Sequence, residues 1–141
     1  MMSEMNYNKD FNWRNTDKQL VDKRPIIHGK VGQIWHCKMG TNVWSEIDGK
    51  AWYLRPILIL AIMGNMILIA PTTTQKRNLP FFIPITSVDF GQDKDNNKIN
   101  SYAILSQCKT IDSRRLIKHK YTINKDELKL IKKLLIDFIN K

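Results

Sequence analysis

The longest hydrophobic run of the chain, residues 57–70, is interrupted at its centre by a glycine and an asparagine. Gly64 and Asn65 have the character of a two-residue turn between antiparallel strands. Pro56 precedes the run and Pro71 follows it. A membrane-spanning helix needs about 20 apolar residues, which is longer than this run. The pattern therefore predicts two buried antiparallel strands, and we expect no membrane segment.

Shorter apolar stretches surround this hairpin. Residues 30–39 alternate, with Trp35, Cys37 and Met39 on one face, and predict a half-buried strand. The polar segment that follows, residues 40–50, predicts a loop.

Two further strands are predicted later in the chain. Residues 80–88 form one, and Pro84 places it at a sheet edge or a bulge. Residues 102–105 form the other, and they lead into a polar cluster at residues 106–115.

The C-terminal segment predicts the clearest helix. Asn124 is a suitable N-cap, and Glu127 stands three residues on, as in a capping box. Apolar side chains then recur at helical spacing. They are Leu128, Ile131, Leu134, Leu135, Phe138 and Ile139. A shorter helix is predicted ahead of it, beginning at Asp112 or Ser113 and running to Ile117.

Five or six short strands followed by a helix predict a mainly β fold with a C-terminal helix, of the α+β class. The expected architecture is a small, partly open β-barrel with the helix packed on it. The length of 141 residues suits one domain. Residues 1–28 are polar and are interpreted as an N-terminal extension, so the domain is expected at 29–141.

The charge narrows the choice of partners. The chain has 23 Lys and Arg against 13 Asp and Glu, a net charge of +10. Such a surface attracts polyanions, of which nucleic acid is the commonest, although a lysine-rich composition alone explains the charge equally well. Cys37 and Cys108 lack the spacing of a disulfide framework or a zinc site. With a polar N-terminus unlike a signal peptide, they indicate a cytoplasmic protein.

No cluster of metal ligands or phosphate-binding loop is present in the sequence, so we expect no metal and no cofactor. The candidate chemistry lies at strand ends. Arg55 precedes the first buried strand and Thr72, Thr73 and Thr74 follow the second, so the hairpin must bring them to one end. They could form a phosphate site, or Arg55 could pair with a carboxylate while the threonines cap a turn.

Five segments, in order over residues 30–140, resemble the MazF/PemK toxins. They are Gly32–Trp35 (G-x-I-W), Gly40–Lys50 (G-x-N-x-G-x-E-x-x-G-K), Arg55–Leu60 (R-P-V-L-V-L), Ala70–Thr74 (P-L-T-S) and Ile104–Leu116 (S-Q-x-R-x-I-D-x-x-R-L). The resemblance implies a dimeric SH3-like, CcdB/MazF-like barrel. It also implies a sequence-selective endoribonuclease toxin of a type II toxin–antitoxin system, which cleaves single-stranded RNA without metal and leaves 2′,3′-cyclic phosphate and 5′-hydroxyl ends.

The resemblance also assigns residues. Arg55 matches the catalytic arginine, Thr73 the threonine that binds the same phosphate, and Glu46 the loop glutamate near the scissile group. Further positions are expected to bind RNA. They are Ser45, Lys50, Thr74, Lys76, Ser106, Gln107, Lys109 and Arg115. The implied partners are mRNA, a second copy of the chain, and an antitoxin whose acidic disordered tail covers the basic groove.

Two alternatives stay open. Ser106, Lys109 and Val43-Trp44 differ from the usual family residues, and they favour a barrel that binds RNA or DNA without cleaving it. The related CcdB toxins bind DNA gyrase, and a supercoiling assay would separate that activity from the other two.

Overall fold

A hairpin of two long strands forms the centre of the sheet, in a computed structural model that describes residues 28–39 and 54–141. Strand β2 is Leu54–Met63 and strand β3 is Met66–Thr73. Met63 pairs with Met66 across the turn, where Gly64 adopts a φ of +64°, a value that suits glycine. The predicted hairpin is confirmed, and no helix among the described residues is long and apolar enough to cross a membrane.

The described part of the chain contains seven strands in one largely antiparallel sheet. Besides β2 and β3 they are β1 (Gln33–Lys38), β4 (Phe82–Ile85), β5 (Ser101–Ile104), β6 (Lys109–Asp112) and β7 (Leu116–Thr122). The order is β4-β5-β3-β2-β1-β7, and β6 also pairs with β3. The sheet is curved over two cores but not closed, as expected for a partly open barrel. Pro84 lies on β4 at the sheet edge, as predicted.

Strand β3 is shared between two neighbours along its length. Residues Met66–Ile69 pair with β6, whereas Thr72 and Thr73 pair with β5. The chain passes from one neighbour to the other through a short 3-10 turn at Leu105–Gln107. This turn therefore lies beside the C-terminal end of β3.

Two hydrophobic clusters lie on opposite faces of the central strands. One joins Ile34, Leu58 and Ala70 to the helix. The other includes Ile57 and Ile69, and it is enclosed by β6 and β7. Because alternate residues of a strand face opposite sides, both faces of β2 and β3 are buried along most of their length, which explains their almost continuous hydrophobic sequence.

Strand β1 is half-buried, as predicted. Trp35, Cys37 and Met39 share a face in the second cluster. The opposite face is mixed, since Ile34 is 1% exposed against the cluster beneath the helix, whereas His36 and Lys38 are only partly buried. The helix therefore covers one position of the face that the alternating pattern assigned to solvent.

A glycine fixes the entry to β1. Gly32 has a φ of +89°, its N–H donates to the Ile59 carbonyl at 2.8 Å, and its carbonyl accepts from Ile123 at 3.0 Å. These bonds connect β1, β2 and the segment before the helix at a single residue. The backbone conformation therefore explains the glycine of the G-x-I-W segment, without any role for it in a reaction.

The region after residue 105 differs from the prediction. The polar cluster contains strand β6, and a 3-10 turn at Ser113–Arg115 replaces the expected helix to Ile117. Residues Leu116–Thr122 then form strand β7, which was not predicted. Lys118, His119 and Lys120 are all exposed on this edge strand, so its apolar alternation is too weak to show in the sequence.

Helix α1 runs over Lys125–Ile139. Asn124 caps it as predicted, since its Oδ1 accepts from the Glu127 N–H at 2.7 Å. Ile131 is fully buried and Leu128, Leu134, Leu135 and Phe138 pack beside it. The prediction is wrong for Ile139, which is 70% exposed beyond the edge of the sheet.

Candidate functional site

The register of the hairpin brings Arg55 and Thr73 together. Ile57 pairs with Pro71, and Arg55 and Thr73 each lie two residues further toward the same end. Residues two apart on a strand point to the same face, so both side chains emerge on one side of the sheet. The expected proximity of Arg55 to the threonines is confirmed.

These two side chains lie in a surface cleft of about 450 Å³. The cleft is lined by Arg55, Pro56, Pro71, Thr72, Thr73, Thr74, Gln75, Arg77, Phe82, Ile104 and Gln107. Among these described lining residues two are arginines and none carries a carboxylate. The local charge is therefore positive, and hydroxyl and amide groups stand beside it.

The threonines differ in what their hydroxyls do. Thr72 is buried, and its Oγ1 donates to the Pro56 carbonyl at 3.1 Å, which extends the β2–β3 pairing. Thr73 Oγ1 accepts from the Gln75 N–H at 3.1 Å, so it does cap a turn. A hydroxyl that accepts one bond can still donate its own proton. Thr73 can therefore stabilise the turn and bind an anion at the same time.

The guanidinium of Arg55 belongs to the lining of this cleft. Within residues 28–39 and 54–141, no carboxylate forms an ion pair with its guanidinium. Its side chain is half-buried at the rim of the cleft. A guanidinium in that position has donors directed at an open cleft, which suits a phosphate.

A second cleft of about 400 Å³ lies on β6. It is lined by Met39, Met66, Lys109, Thr110, Ile111, Asp112 and Arg115. Partial burial lowers the pKa of the Lys109 ammonium, and the positive charges of Arg115 and Arg55 lower it further. The Cys37 thiol acts in the opposite direction. Lys109 is therefore within electrostatic reach of Arg55, and cationic groups extend from one cleft to the other.

The two neighbouring arginines of this region have different roles. Arg114 binds Asp112 through two bonds, Nε to Oδ1 at 3.0 Å and Nη2 to Oδ2 at 2.8 Å. These bonds hold the pKa of Asp112 below its usual range. Arg115 donates from Nη1 to the Lys38 carbonyl at 3.2 Å and lines the second cleft.

The sequence-based site residues are distributed unevenly. Thr74 and Gln107 line the first cleft, and Lys109 and Arg115 line the second. Lys76 and Ser106 are exposed beside the first cleft without lining it. Ser45, Glu46 and Lys50 lie outside the described residues.

Several lining residues were not predicted as site residues, among them Gln75, Arg77 and Phe82. Gln75 and Arg77 lie in the connection that leaves β3, on either side of the predicted Lys76. Only the path of this connection decides which of the two neighbouring cations enters the cleft. Phe82 resembles any core aromatic in sequence, and no signal separates it from Phe81.

His36 and Cys108 also have shifted pKa values. Burial lowers the pKa of His36, and the charges of Lys120 and Lys118 add to the effect. Burial raises the pKa of the Cys108 thiol to about 11, which disfavours a reactive thiolate. Across the described ranges, no group of three or more His, Cys, Asp or Glu side chains could hold a metal ion.

A family model described as a PemK-like, MazF-like toxin of type II toxin–antitoxin systems matches residues 30–139. The chain belongs to this family. The match includes both clefts and the helix, and leaves out the N-terminal segment. No curated protein sequence matches the chain.

Several solved structures share the fold of this chain. A MazF-mt6 toxin from Mycobacterium tuberculosis has a TM-score of 0.55 at 18% identity, covering 77% of this chain and 96% of its own. An endoribonuclease from a mycobacterial species has a TM-score of 0.58 at 13% identity, with 82% and 96% covered. MazF in a MazE–MazF crystal from Deinococcus radiodurans has a TM-score of 0.57 at 15% identity, with 79% and 96% covered. At these identities the likeness shows the fold of this family member.

Proposed function

We propose that the protein is a sequence-selective endoribonuclease toxin that cleaves single-stranded RNA without metal and leaves 2′,3′-cyclic phosphate and 5′-hydroxyl ends. The observation that carries the proposal is the proximity of Arg55 and Thr73 in a cationic cleft. None of the described residues that line this cleft is an aspartate or a glutamate. An RNA phosphate requires such an environment, because it is negatively charged before and during the reaction.

The proposed reaction places the scissile phosphate against Arg55 and Thr73. The ribose 2′-oxygen loses its proton to a base and forms a bond to phosphorus. The bond to the 5′-oxygen breaks, and that oxygen receives a proton. The phosphorane between these steps carries two negative charges, so a guanidinium fork stabilises it more than it stabilises the starting phosphate. The Thr73 hydroxyl donates to the same group.

Glu46 is proposed to lie near the scissile group, on family resemblance, and the general base is left unassigned. Its segment, residues 40–53, joins the end of β1 to the start of β2, one residue before Arg55. The described residues that line the Arg55 cleft supply no carboxylate or imidazole for this step. A base contributed by that segment would complete the site.

The rest of the RNA would follow the cationic surface from Arg55 toward Lys109 and Arg115. Thr74 and Gln107 would contact it beside the scissile phosphate, with Lys76, Ser106, Ser45 and Lys50 at the margins. Phosphate contacts of this kind supply affinity and positioning, and they weaken as salt is added.

Two protein partners are proposed. A mycobacterial endoribonuclease of this fold, with a TM-score of 0.51, has been solved in complex with its cognate antitoxin. Deinococcus radiodurans MazF has been solved with MazE. We infer that this chain binds an antitoxin whose acidic tail covers the cationic clefts, and that it acts as a homodimer in the cytoplasm.

The test is an RNA cleavage assay in EDTA with a long single-stranded substrate. Wild type should produce discrete cuts ending in cyclic phosphates. Arg55→Ala should lower the rate by about 100-fold or more, and Thr73→Val should lower it by about 10-fold, since each removes a donor to the developing charge. Arg114→Ala is the matched control, because Arg114 binds Asp112 outside the Arg55 cleft. Equal rates for wild type and Arg55→Ala would contradict the proposal.

A non-catalytic RNA-binding barrel is the second candidate. The lack of a carboxylate or imidazole among the described lining residues of the Arg55 cleft favours it. It predicts RNA binding that weakens with salt, with no cleaved product under any buffer. Cyclic-phosphate products from wild type would exclude it.

A further inference from the structure

The Arg55 cleft contains two chemically different halves. One half offers Arg55 and the Thr73 hydroxyl, which suit a phosphate. The other half offers the ring of Phe82 beside Ile104 and the side-chain amide of Gln107. A phosphate needs neither an aromatic ring nor a carboxamide, whereas a nucleobase binds both.

Strand alternation shows why Phe82 faces the cleft. Ile83 and Ile85 point into the cluster beneath the helix, and Phe81 packs against the same cluster. Phe82 and Pro84 therefore occupy the opposite face of β4. Phe82 belongs to neither hydrophobic cluster and is half-buried. Its ring contributes to the wall of the cleft and contacts the Phe81 ring, with the two centroids 5.6 Å apart.

Register fixes the position of Phe82 relative to Thr73. Thr73 pairs with Tyr102 on β5, and Phe82 pairs with Ile104 two residues further along the same strand. Phe82 thus lies two strands from Thr73, or about 10 Å across the sheet. Both side chains line the same cleft, whose volume is about 450 Å³.

Gln107 is held close to Phe82 by the backbone. The 3-10 turn that carries Gln107 is bonded to β4, because the Leu105 N–H donates to the Phe81 carbonyl at 2.9 Å. The Gln107 side chain is exposed, and no hydrogen bond to its amide is found within the described ranges. A carboxamide with its donors and acceptor available can recognise the edge of a stacked base.

We propose that Phe82 and Gln107 form a base-binding subsite of this cleft. A nucleobase next to the phosphate on Arg55 and Thr73 stacks on the Phe82 ring and bonds its edge to Gln107. The subsite rests on the proposed RNA substrate. Phe82 is expected to increase the affinity for RNA, and Gln107 is expected to determine which base is preferred.

The experiment measures binding of uncleavable strands by fluorescence anisotropy. The probes are short single-stranded 2′-O-methyl oligonucleotides, one homopolymer of each base, together with an abasic strand that has the same number of phosphates. Without a free 2′-hydroxyl the strands cannot be cleaved by the proposed reaction, so binding is read separately from catalysis.

Phe82→Leu should weaken the best-bound homopolymer by about 10-fold and leave the abasic strand within about 2-fold, because only stacking is lost. Arg55→Ala should weaken both kinds of strand alike. Phe90→Leu is the matched control, since its ring packs on the core against Tyr121 and does not line the cleft, and it should change neither. Gln107→Ala should reduce the spread of affinities among the four homopolymers.

Equal effects of Phe82→Leu on base-bearing and abasic strands would overturn the subsite. If Phe82→Leu does not fold, Phe82→Trp gives the same test, because a larger ring should bind homopolymers at least as tightly as wild type. A tenfold loss with Phe82→Trp would likewise overturn it.

The failure of the subsite can be separated from failure of the proposed function. Homopolymer binding that depends on Phe82, with no cleavage of ribose RNA, would support the subsite and reject the ribonuclease. Cleavage that depends on Arg55, with no difference between the Phe82 and Phe90 variants, would reject the subsite alone.

Discussion

Two charged residues, Arg55 and Glu127, stand at the beginning of major elements and are used in opposite ways. Glu127 accepts four hydrogen bonds, from the N–H and hydroxyl groups of Thr86 and Ser87, at 2.6–3.2 Å. Arg55 has no ion-pair partner in the described ranges and opens onto a cleft. The charge of Glu127 is stabilised by hydrogen bonds within the fold, whereas the charge of Arg55 faces an open cleft.

This contrast separates structural charge from functional charge. Glu127 connects the first turn of α1 to the loop after β4, and the Asn124 N–H donates to Ser87 Oγ at 3.1 Å in the same network. Removing such a group should destabilise the protein. Removing a group like Arg55 should affect ligands and leave the fold intact.

The largest expected effect is that of Arg55→Gln, which removes the guanidinium while keeping a polar side chain. Cleavage should fall by about 100-fold, or about 2.7 kcal/mol of transition-state stabilisation. The Tm should stay within about 1 °C of wild type, because Arg55 forms no ion pair with a carboxylate of the described residues. Thermal melting and single-turnover cleavage measure the two quantities. A large fall in Tm would place Arg55 with Glu127 as a structural residue.

Glu127→Gln should produce the reverse result. The variant loses a charged acceptor of several hydrogen bonds, so the free energy of unfolding should fall by about 1–2 kcal/mol. Cleavage per folded molecule should be unchanged. Urea denaturation followed by circular dichroism gives the stability, with Asp126→Asn as the control on the same helical turn. A loss of activity without a loss of stability would break the comparison.

The contribution of Glu127 should depend on pH. Burial of the carboxyl would raise its pKa, but the bonds from Ser87 and Thr86 outweigh burial and hold the pKa below the ordinary value of 4.5. Stability from this group is present above pH 4.5 and is lost as the pH falls through the lower folded value. Denaturation of wild type and Glu127→Gln at several pH values should show their difference shrinking on acidification. A difference independent of pH would contradict this assignment.

The smallest expected effect is that of Lys109→Met. The pKa of Lys109 is lowered, so the folded state disfavours its charge, and removing that charge should raise the Tm by about 2 °C after allowance for screening at an exposed side chain. RNA binding should weaken, and the slope of log K against log salt should fall by about 0.7 if Lys109 contacts one phosphate of a single strand. Lys118→Met on the edge strand is the control, and an equal slope change there would argue against a specific contact.

Several parts of the fold were predictable because their signals are local. The Gly64-Asn65 turn, the apolar runs on either side of it and the Asn124 cap each depend on a few consecutive residues. The proximity of Arg55 and Thr73 followed from these signals, because any hairpin turning at residue 64 must bring residues 55 and 73 to one end.

Other parts depended on pairing between distant segments. Strands β6 and β7 carry polar and charged side chains, and they are strands because β3 and β1 offer them backbone partners. Local propensity gave little indication of this pairing. In a capping box the Glu127 side chain would accept a bond from the Asn124 N–H. Here it instead accepts bonds from Thr86 and Ser87, in a loop about forty residues earlier in the chain.

The sequence by itself determined the hairpin, the capped helix, the excess of positive charge and, through its ordered motifs, the family. Only the tertiary structure decided that Arg77 and Phe82 enter the cleft while Lys76 and Phe81 do not. Adjacent residues of similar chemistry differ only in direction, and direction is set by strand register and by the path of the connecting loop. The position of Arg55 required only the hairpin, whereas the composition of its cleft required the whole sheet.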